Sequence, residues 1–363
     1  MSFSFLEPPH PPAPVRLVDR ARRFFREHGK KLWWLHSVYA LGLGLSVVLF
    51  AQKGFEHARW LAVTIGLAWL LVVVFFRVFG SGTTQIPIDG SGSKGKIRFF
   101  VMTYVLKNLY QGMLFFLLPF YWKSTTLDAP NAWFVVLLAM CAVLSTLDVV
   151  FDRFLMKRRS LASIFHGVTL FGCLNLIVPA LFPETRSLFS LESAAAITAI
   201  AVWTLHVPFG ALKKKTNVAL FLATLSGATG IAYVARGAIP PVPMYIAYEA
   251  VGPSQLADGR LAMEVKSLDA SVIRELLAVT DVVVPGGKGD RLHHVWRQGG
   301  REVHRSTEDT SRIPSGTPNI VRLRSSLKGG DLPASLGGHW SVDVETEDGQ
   351  LVGRAEFRVT TSG

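Results

Sequence analysis

The side chains with the most scope for chemistry sit inside an apolar run. Tyr104, Lys107, Asn108 and Gln111 fall at i, i+3, i+4 and i+7 of the stretch Phe99 to Tyr121, so on a helix they form one polar stripe. An ammonium group and two amides in that position could relay protons or ions, or hold a lipid head group, provided carboxylate or imidazole partners face them. Asp148 and Asp152 end the next apolar run and His166 begins the one after it. At 1.5 Å of rise per residue, Lys107 lies roughly 12 to 14 Å from Phe99 along the axis, and a Lys107 to Asp148 pair would lower the cost of burying either charge. A purely structural reading stands beside this one. In it, Lys107 extends its ammonium to the interface, Asp148 pairs with the Lys157 to Arg159 cluster, and the amides bond between helices.

A second set lies near the C-terminus. Arg322 and Arg324 are two residues apart, so on a strand they share a face and could contact an anionic glycan, a lipid head group or a protein. Trp296 and Trp340 join them as a candidate binding face, and the alternative is a solvated face balanced by Asp343, Glu345 and Glu347. His293 and His294 are adjacent and would point to opposite faces of a strand, which favours structural roles over shared metal ligation. His206, beside Pro208, reads as an interfacial histidine. The chain has no G-x-S-x-G elbow, no H-E-x-x-H helix and no C-x-x-C pair, and the glycines of Gly80 to Lys96 lack the Lys-Ser/Thr of a phosphate loop. No catalytic set, metal or cofactor is therefore expected, and Gly80 to Lys96 reads as a flexible linker.

The elements that must carry these residues fall into two kinds. Half of the 363 residues are hydrophobic, more than one soluble core can enclose, so the excess is expected to face lipid. Before Met244 there are 24 Lys/Arg against 10 Asp/Glu, and from Met244 onward 14 against 16. The net charge of +12 thus belongs to the apolar part and gives no reason to expect nucleic acid. Cys141 and Cys173 both lie in apolar runs and imply no disulfide framework.

Seven apolar runs approach the roughly 20 residues that a helix needs to cross a bilayer: Trp33 to Ala51, Trp60 to Phe79, Phe99 to Tyr121, Ala132 to Phe151, Leu161 to Phe182, Ala194 to Val207 and Asn217 to Ala235. The sixth is short, and six spans with a re-entrant segment is the competing count. The N-terminal arm and the second, fourth and sixth loops hold 18 Lys/Arg, while the first, third and fifth hold four. By the positive-inside rule this puts the N-terminus in the cytoplasm and, with seven spans, the C-terminal region outside. Residues 1–32 read as a Pro-rich tail followed by a basic amphipathic arm suited to an anionic leaflet. A cleaved signal peptide is not expected, because no A-x-A site follows the first run.

Pro240, Pro241 and Pro243 mark a linker at 237–243, after a membrane domain at 33–236 and before a β-rich domain at 244–363. A Gly299-Gly300 turn would pair Arg297 with Glu302 and Trp296 with Val303. An Asp348-Gly349 turn would set Asp343 opposite Arg354, Trp340 opposite Phe357 and Val342 opposite Ala355. Further strands are expected at Met244 to Val251, Leu261 to Val265, Ser271 to Val284 (broken) and Ile320 to Ser325. About seven short strands suggest an immunoglobulin- or fibronectin-like sandwich. The expected fold is thus an α-helical transmembrane bundle of seven spans joined to an all-β sandwich.

The string His294-Val295-Trp296, with Gly300 and Val303, Arg322 to Ser326 with Lys328, Gly338 to Val344, Asp348-Gly349 and Phe357, resembles the C-terminal domain of unknown function numbered 2914. The resemblance covers roughly Ala270 to Val359 and implies a bacterial envelope protein. The sequence departs from the family pattern at Leu323, where an aromatic is usual, so no aromatic binding platform is carried over. The apolar half resembles, more weakly, the multi-span region joined to that domain. The family has no established activity.

Three functional classes follow. The first is a non-enzymatic protein of the bacterial inner membrane that presents a periplasmic β-domain to an envelope protein, glycan or lipid. The second is a transporter or lipid-handling protein working around Lys107 and Asp148. The third, an integral-membrane enzyme, is disfavoured because no loop presents a clustered catalytic set. Membrane lipid is the one partner that every class requires, and oligomeric state is left open.

Overall fold

The computed structural model describes residues 58–79, 93–147, 149–182, 184–207, 209–254, 263–285, 290–306, 310–312 and 319–361, with single positions 38, 42 and 261. The Pro-rich tail, the basic arm, the first expected span and Asp148 lie outside the described residues, apart from two isolated positions in that span.

Six helices are described: α1 (Ala58–Phe79), α2 (Ser93–Lys123), α3 (Ala132–Thr146), α4 (Arg159–Leu181), α5 (Ser187–His206) and α6 (Lys215–Val234). Among the described residues, four segments are long and apolar enough to cross a membrane, in α2, α4, α5 and α6, not the seven expected. Two shorter apolar stretches, Val63–Val74 and Ala132–Thr146, accompany them. The expected fourth span, Ala132 to Phe151, breaks at Leu147, whose ψ of 95° leaves the helix, and the chain resumes as a π-helical turn, Val149–Leu155. The Ser145 and Thr146 hydroxyls donate to the carbonyls of Ala142 and Val143 at 2.6 and 2.7 Å. Such bonds compete with the helix ladder and weaken its last turn. The sixth expected span goes the other way. Helix α5 starts at Ser187, ahead of Glu192, and runs 20 residues.

Helix α4 is the centre of the bundle: 72% of its apolar window is buried, against 6% for α6, which rests on α5 and turns its other sides outward. Gly172 lets α2, α3 and α4 converge, since a Cβ there would lie 3.1 Å from Leu138 and 3.3 Å from Leu117. In the same core Phe165 meets Tyr110 and Phe151 edge-on, while Tyr110 and Phe151 are tilted against each other.

The C-terminal region forms two sheets. One has the order β1-β3-β7-β6, from Tyr245–Gly252, Glu275–Val283, Ile320–Lys328 and Thr310–Arg312. The other has the order β2-β9-β8-β4-β5, from Ser267–Asp269, Leu351–Thr360, Gly338–Thr346, Leu292–Gln298 and Arg301–Arg305. Period-2 alternation aims Leu276, Ala278 and Leu327 of the first sheet and Trp296, Trp340, Val342 and Phe357 of the second into one apolar cluster. Trp340 stacks on Phe357 with ring centroids 6.0 Å apart.

The β8–β9 hairpin has the expected register: Asp343 faces Arg354, Trp340 faces Phe357, and Val342 faces Ala355. In the β4–β5 hairpin Arg297 faces Glu302 as expected, but a bulge before Arg297 sets Trp296 opposite His304 instead of Val303. The stretch Leu261 to Val265 is not a strand. Leu261 makes a single bridge, and Val265 N–H bonds to the Val251 carbonyl. The break expected before β3 is a 3₁₀ turn, Ala270–Val272, capped by the Asp269 carboxylate.

Candidate functional site

The intramembrane stripe is only partly internal. Lys107 and Gln111 are buried at 2% and 4% exposure, whereas Tyr104 is 44% exposed and stands at the rim, with the Lys107 ammonium 5.3 Å from its ring centre. Asn108 is exposed and donates to the Tyr104 carbonyl at 2.8 Å, so it serves its own helix. His166 is buried, and its Nδ1 lies 2.7 Å from the Tyr110 hydroxyl. Its Nε2 has no hydrogen-bond partner among the described residues. Sequence reasoning passed over Tyr110 because a tyrosine in an apolar run looks like packing. Nearer the other end of α2, Tyr121 OH donates to the Gly172 carbonyl at 3.0 Å and accepts from Asn175 at 3.2 Å. The expected partnership of Lys107 with Asp148 lies outside the described residues.

The binding face expected in the β-region comes apart. Trp296 and Trp340 are fully buried between the sheets, because strand alternation turns them inward, away from Arg322 and Arg324. Arg322 forms a two-toothed ion pair with Asp281 of β3 at 2.6 and 2.7 Å, and Arg324 is exposed. The carboxylates expected to balance these arginines lie on the other sheet or at its hairpin tip. There Asp343 takes Arg297 at 3.0 Å and Arg354 at 2.7 Å, and Glu345 takes Arg297 at 2.7 Å and Arg305 at 3.1 Å. His294 accepts neither metal nor proton readily. Its two ring nitrogens meet the Ser325 and Thr280 hydroxyls at 2.7 and 3.0 Å, and burial pushes its pKa down to about 3.

The site that emerges is the seam between the bundle and the β-region. The tip of the β8–β9 hairpin enters it: Arg186, between α4 and α5, clamps Asp348 with both contacts at 2.9 Å, and Arg236, after α6, donates to the Asp348 carbonyl at 2.6 Å. Asn131, at the start of α3, donates to the Leu351 carbonyl, and Gln350 donates to the Ile239 carbonyl. Asp290 receives the Ser187 backbone N–H at 3.0 Å and its hydroxyl at 2.6 Å. A carboxylate from the β-region thus caps the positive end of the α5 dipole. Burial raises the Asp290 pKa, and the Ser187 bonds oppose that rise.

Two clefts open along this seam. The first, about 300 Å³, lies between Pro130 and Gly237 of the bundle end and Arg297, Asp343 and Arg354 of the sheet. The second, about 380 Å³, lies between Lys123 to Thr126 and the strands around Glu249 and Arg354. Arg354 borders both. Glu249 stands at the mouth of the second, where desolvation first and the charge of Glu356 second push its pKa up to about 7. Burial raises the Glu356 carboxyl as well, followed by a hydrogen bond to Asp128 and that residue's charge. Sequence gave no signal for this constellation, because its partners lie between about 100 and 220 positions apart. Among the described residues no group of three or more His, Cys, Asp or Glu is arranged to hold a metal ion.

Fold and site together define a protein with an apolar helical bundle and a β-rich region docked on one end of it. The chain belongs to the Family of unknown function (DUF5924), whose profile matches residues 16–276. Residues 289–359 match the Protein of unknown function (DUF2914), the domain that the C-terminal motifs resemble. The first match runs through β1 and β2 to the first residues of β3, and β3 pairs with β7 and β2 with β9 of the second, so the two matched segments share both sheets. Neither a curated protein nor a solved structure matches the chain.

Proposed function

We propose that this is a non-enzymatic integral membrane protein of the bacterial inner membrane. It holds an immunoglobulin- or fibronectin-like sandwich against the outer end of the apolar helical bundle and uses that sandwich and its seam to bind an envelope protein, a glycan or a lipid. The boundaries are those expected from sequence, with the membrane domain at 33–236 and the sandwich from Met244.

The observation that carries the reading is the identity of the docked loops. Among the described residues, those touching the β-region lie in the 124–131 loop, at Arg186 and Ser187, and in the turn after α6. Two of these places belong to loops with few Lys/Arg, expected outside, and the third follows the last span. The basic loops lie at the opposite helix ends. Charge bias and docking therefore agree on which ends share a side. Trp122, Trp133, Phe182 and Tyr233 are exposed at the docked ends of their helices, the level at which aromatic residues meet head groups. A reporter active only outside the cytoplasm, fused after Gly363, is expected to be active, and a silent reporter would refute the topology. Loss of function on deleting 244–363, with function kept in Lys107→Ala, would support the binding role.

A second reading rests on the buried polar core. Lys107 and His166 are 2% and 1% exposed within the bundle, a costly placement that favours a relay or lipid-handling role. It predicts the reverse outcome, with Lys107→Ala inactive and the deletion tolerated.

A further inference from the structure

The second seam cleft, about 380 Å³, is lined by two opposite charges that do not meet. Lys123 ends α2 on one wall, and Glu249 stands on β1 on the other. Neither makes an ion pair among the described residues. The Lys123 ammonium lies 5.4 Å from the Tyr245 ring centre, and Glu249 has only the like charge of Glu356 beside it. Arg354, the other cation of the lining, is already neutralised by Asp343 at 2.7 and 3.0 Å. Lys123 is therefore the positive group left for an anion, and Glu249 the negative group left for a cation. A third polar atom is open on the Lys123 wall: Thr126 Oγ1 is buried without a hydrogen-bond partner among the described residues. The floor is apolar and tight, since Gly353 of β9 leaves no room for a Cβ against Ile246 of β1.

Depth singles out the source of such a ligand. Lys123 is the last residue of Val101–Lys123, a segment long and apolar enough to cross a membrane. Trp122 beside it, Leu127 in the following loop and Trp133 at the start of α3 are exposed, and aromatic residues gather at head-group level. We propose that the cleft seats the head group of a zwitterionic phospholipid with a primary amine, its phosphate on Lys123 and Thr126 and its ammonium on Glu249. This rests on the reading of the β-region as a domain docked at the outer face of the membrane, and it names a ligand for that domain. Tyr245, under the Lys123 ammonium, and Glu249 are four residues apart on β1, at most roughly 13 Å, and the bulge between Ile246 and Tyr248 shortens the path. A phosphate and an amine two carbons apart, with a hydrogen bond of about 2.8 Å at each end, bridge that gap. Choline lipids offer Glu249 no N–H and glycerol lipids offer it no cation, so the site discriminates among head groups that share one phosphate.

Native mass spectrometry of the full chain, released from detergent with equimolar phosphatidylethanolamine, phosphatidylcholine and phosphatidylglycerol of the same acyl chains, tests the site. One ethanolamine lipid is expected to be retained about tenfold over either competitor, the factor that one charge-assisted hydrogen bond supplies. Glu249→Gln should bring the ethanolamine and choline lipids to parity, and Lys123→Gln should lower retention of all three. Equal retention of the three lipids by the native chain overturns the proposal, whether or not a variant folds. So does a preference that survives Glu249→Gln. Free phosphoethanolamine at the lipid's concentration is expected to leave the lipid in place, and displacement would assign the cleft to a soluble phosphoester instead. The ratio is read in detergent and is blind to sidedness, so its failure leaves intact the topology that the reporter after Gly363 tests.

Discussion

The bundle and the β-region treat buried polar atoms differently. In the β-region, the His294 ring nitrogens, the Thr280 and Ser325 hydroxyls and the Trp296 indole N–H form one bonded group. In the bundle, His166 Nε2, Thr169 Oγ1, Ser190 Oγ and Trp203 Nε1 are buried without a hydrogen-bond partner among the described residues. Closed networks fix a unique core. Open polar atoms mark where water, a ligand or another segment belongs. Among the described residues the buried polar atoms without a hydrogen-bond partner gather in the bundle and its loops, and Gln350 Oε1 at the hairpin tip is the exception in the β-region.

The comparison can be broken by substitution, beginning with the largest effect. Trp340→Ala removes a fully buried ring stacked on Phe357 and is expected to cost about 3–5 kcal/mol, read from denaturation of the full chain in detergent. Asp343→Asn leaves Arg297 and Arg354, whose side chains are 24% and 20% exposed, without their shared carboxylate. Discounted for that exposure, a loss of about 1–3 kcal/mol is expected by the same measurement.

A matched pair addresses the contrast directly. Thr280→Val strands the His294 Nε2 position and is expected to cost about 1–3 kcal/mol, whereas Thr169→Val removes an unbonded hydroxyl and is expected to be neutral or stabilising. Equal costs would dissolve the distinction between the regions. The last effect depends on pH and accumulates over several units. His294 is held neutral down to about pH 3, while the unfolded chain protonates it near 6.5. Stability of the β-region should thus fall as pH drops from 6.5 toward 3, by up to about 1.4 kcal/mol per unit. In His294→Gln this part of the acid sensitivity should disappear.

What the sequence disclosed follows the range of the interactions. The β8–β9 register was legible because a tight turn and alternating side chains determine it locally, and the same hairpin tip then supplies the docking contacts. The bulge before Arg297 was not, since one extra residue leaves the hydrophobic pattern nearly unchanged. Trp296 and Trp340 are buried because their own alternation along the strands points inward, a feature that overrides their suitability for a binding face. The Asp281 partner of Arg322 required knowing that β3 pairs with β7. The break at Leu147 was hidden in an unbroken apolar run, and the seam was invisible because only the folded chain brings its residues together.

The β-region docks on the bundle end formed by the 124–131 loop, Arg186, Ser187 and the turn after α6, and under the proposed topology that end lies outside the cytoplasm. Cysteines placed at Ser187 and Asp290, whose side chains meet at 2.6 Å, test both parts at once. Applied to intact spheroplasts, a short membrane-impermeant bifunctional thiol reagent is predicted to link the two positions within one chain. Labelling of each single cysteine without a link in the double variant would contradict the docking, and labelling only after lysis would contradict the topology.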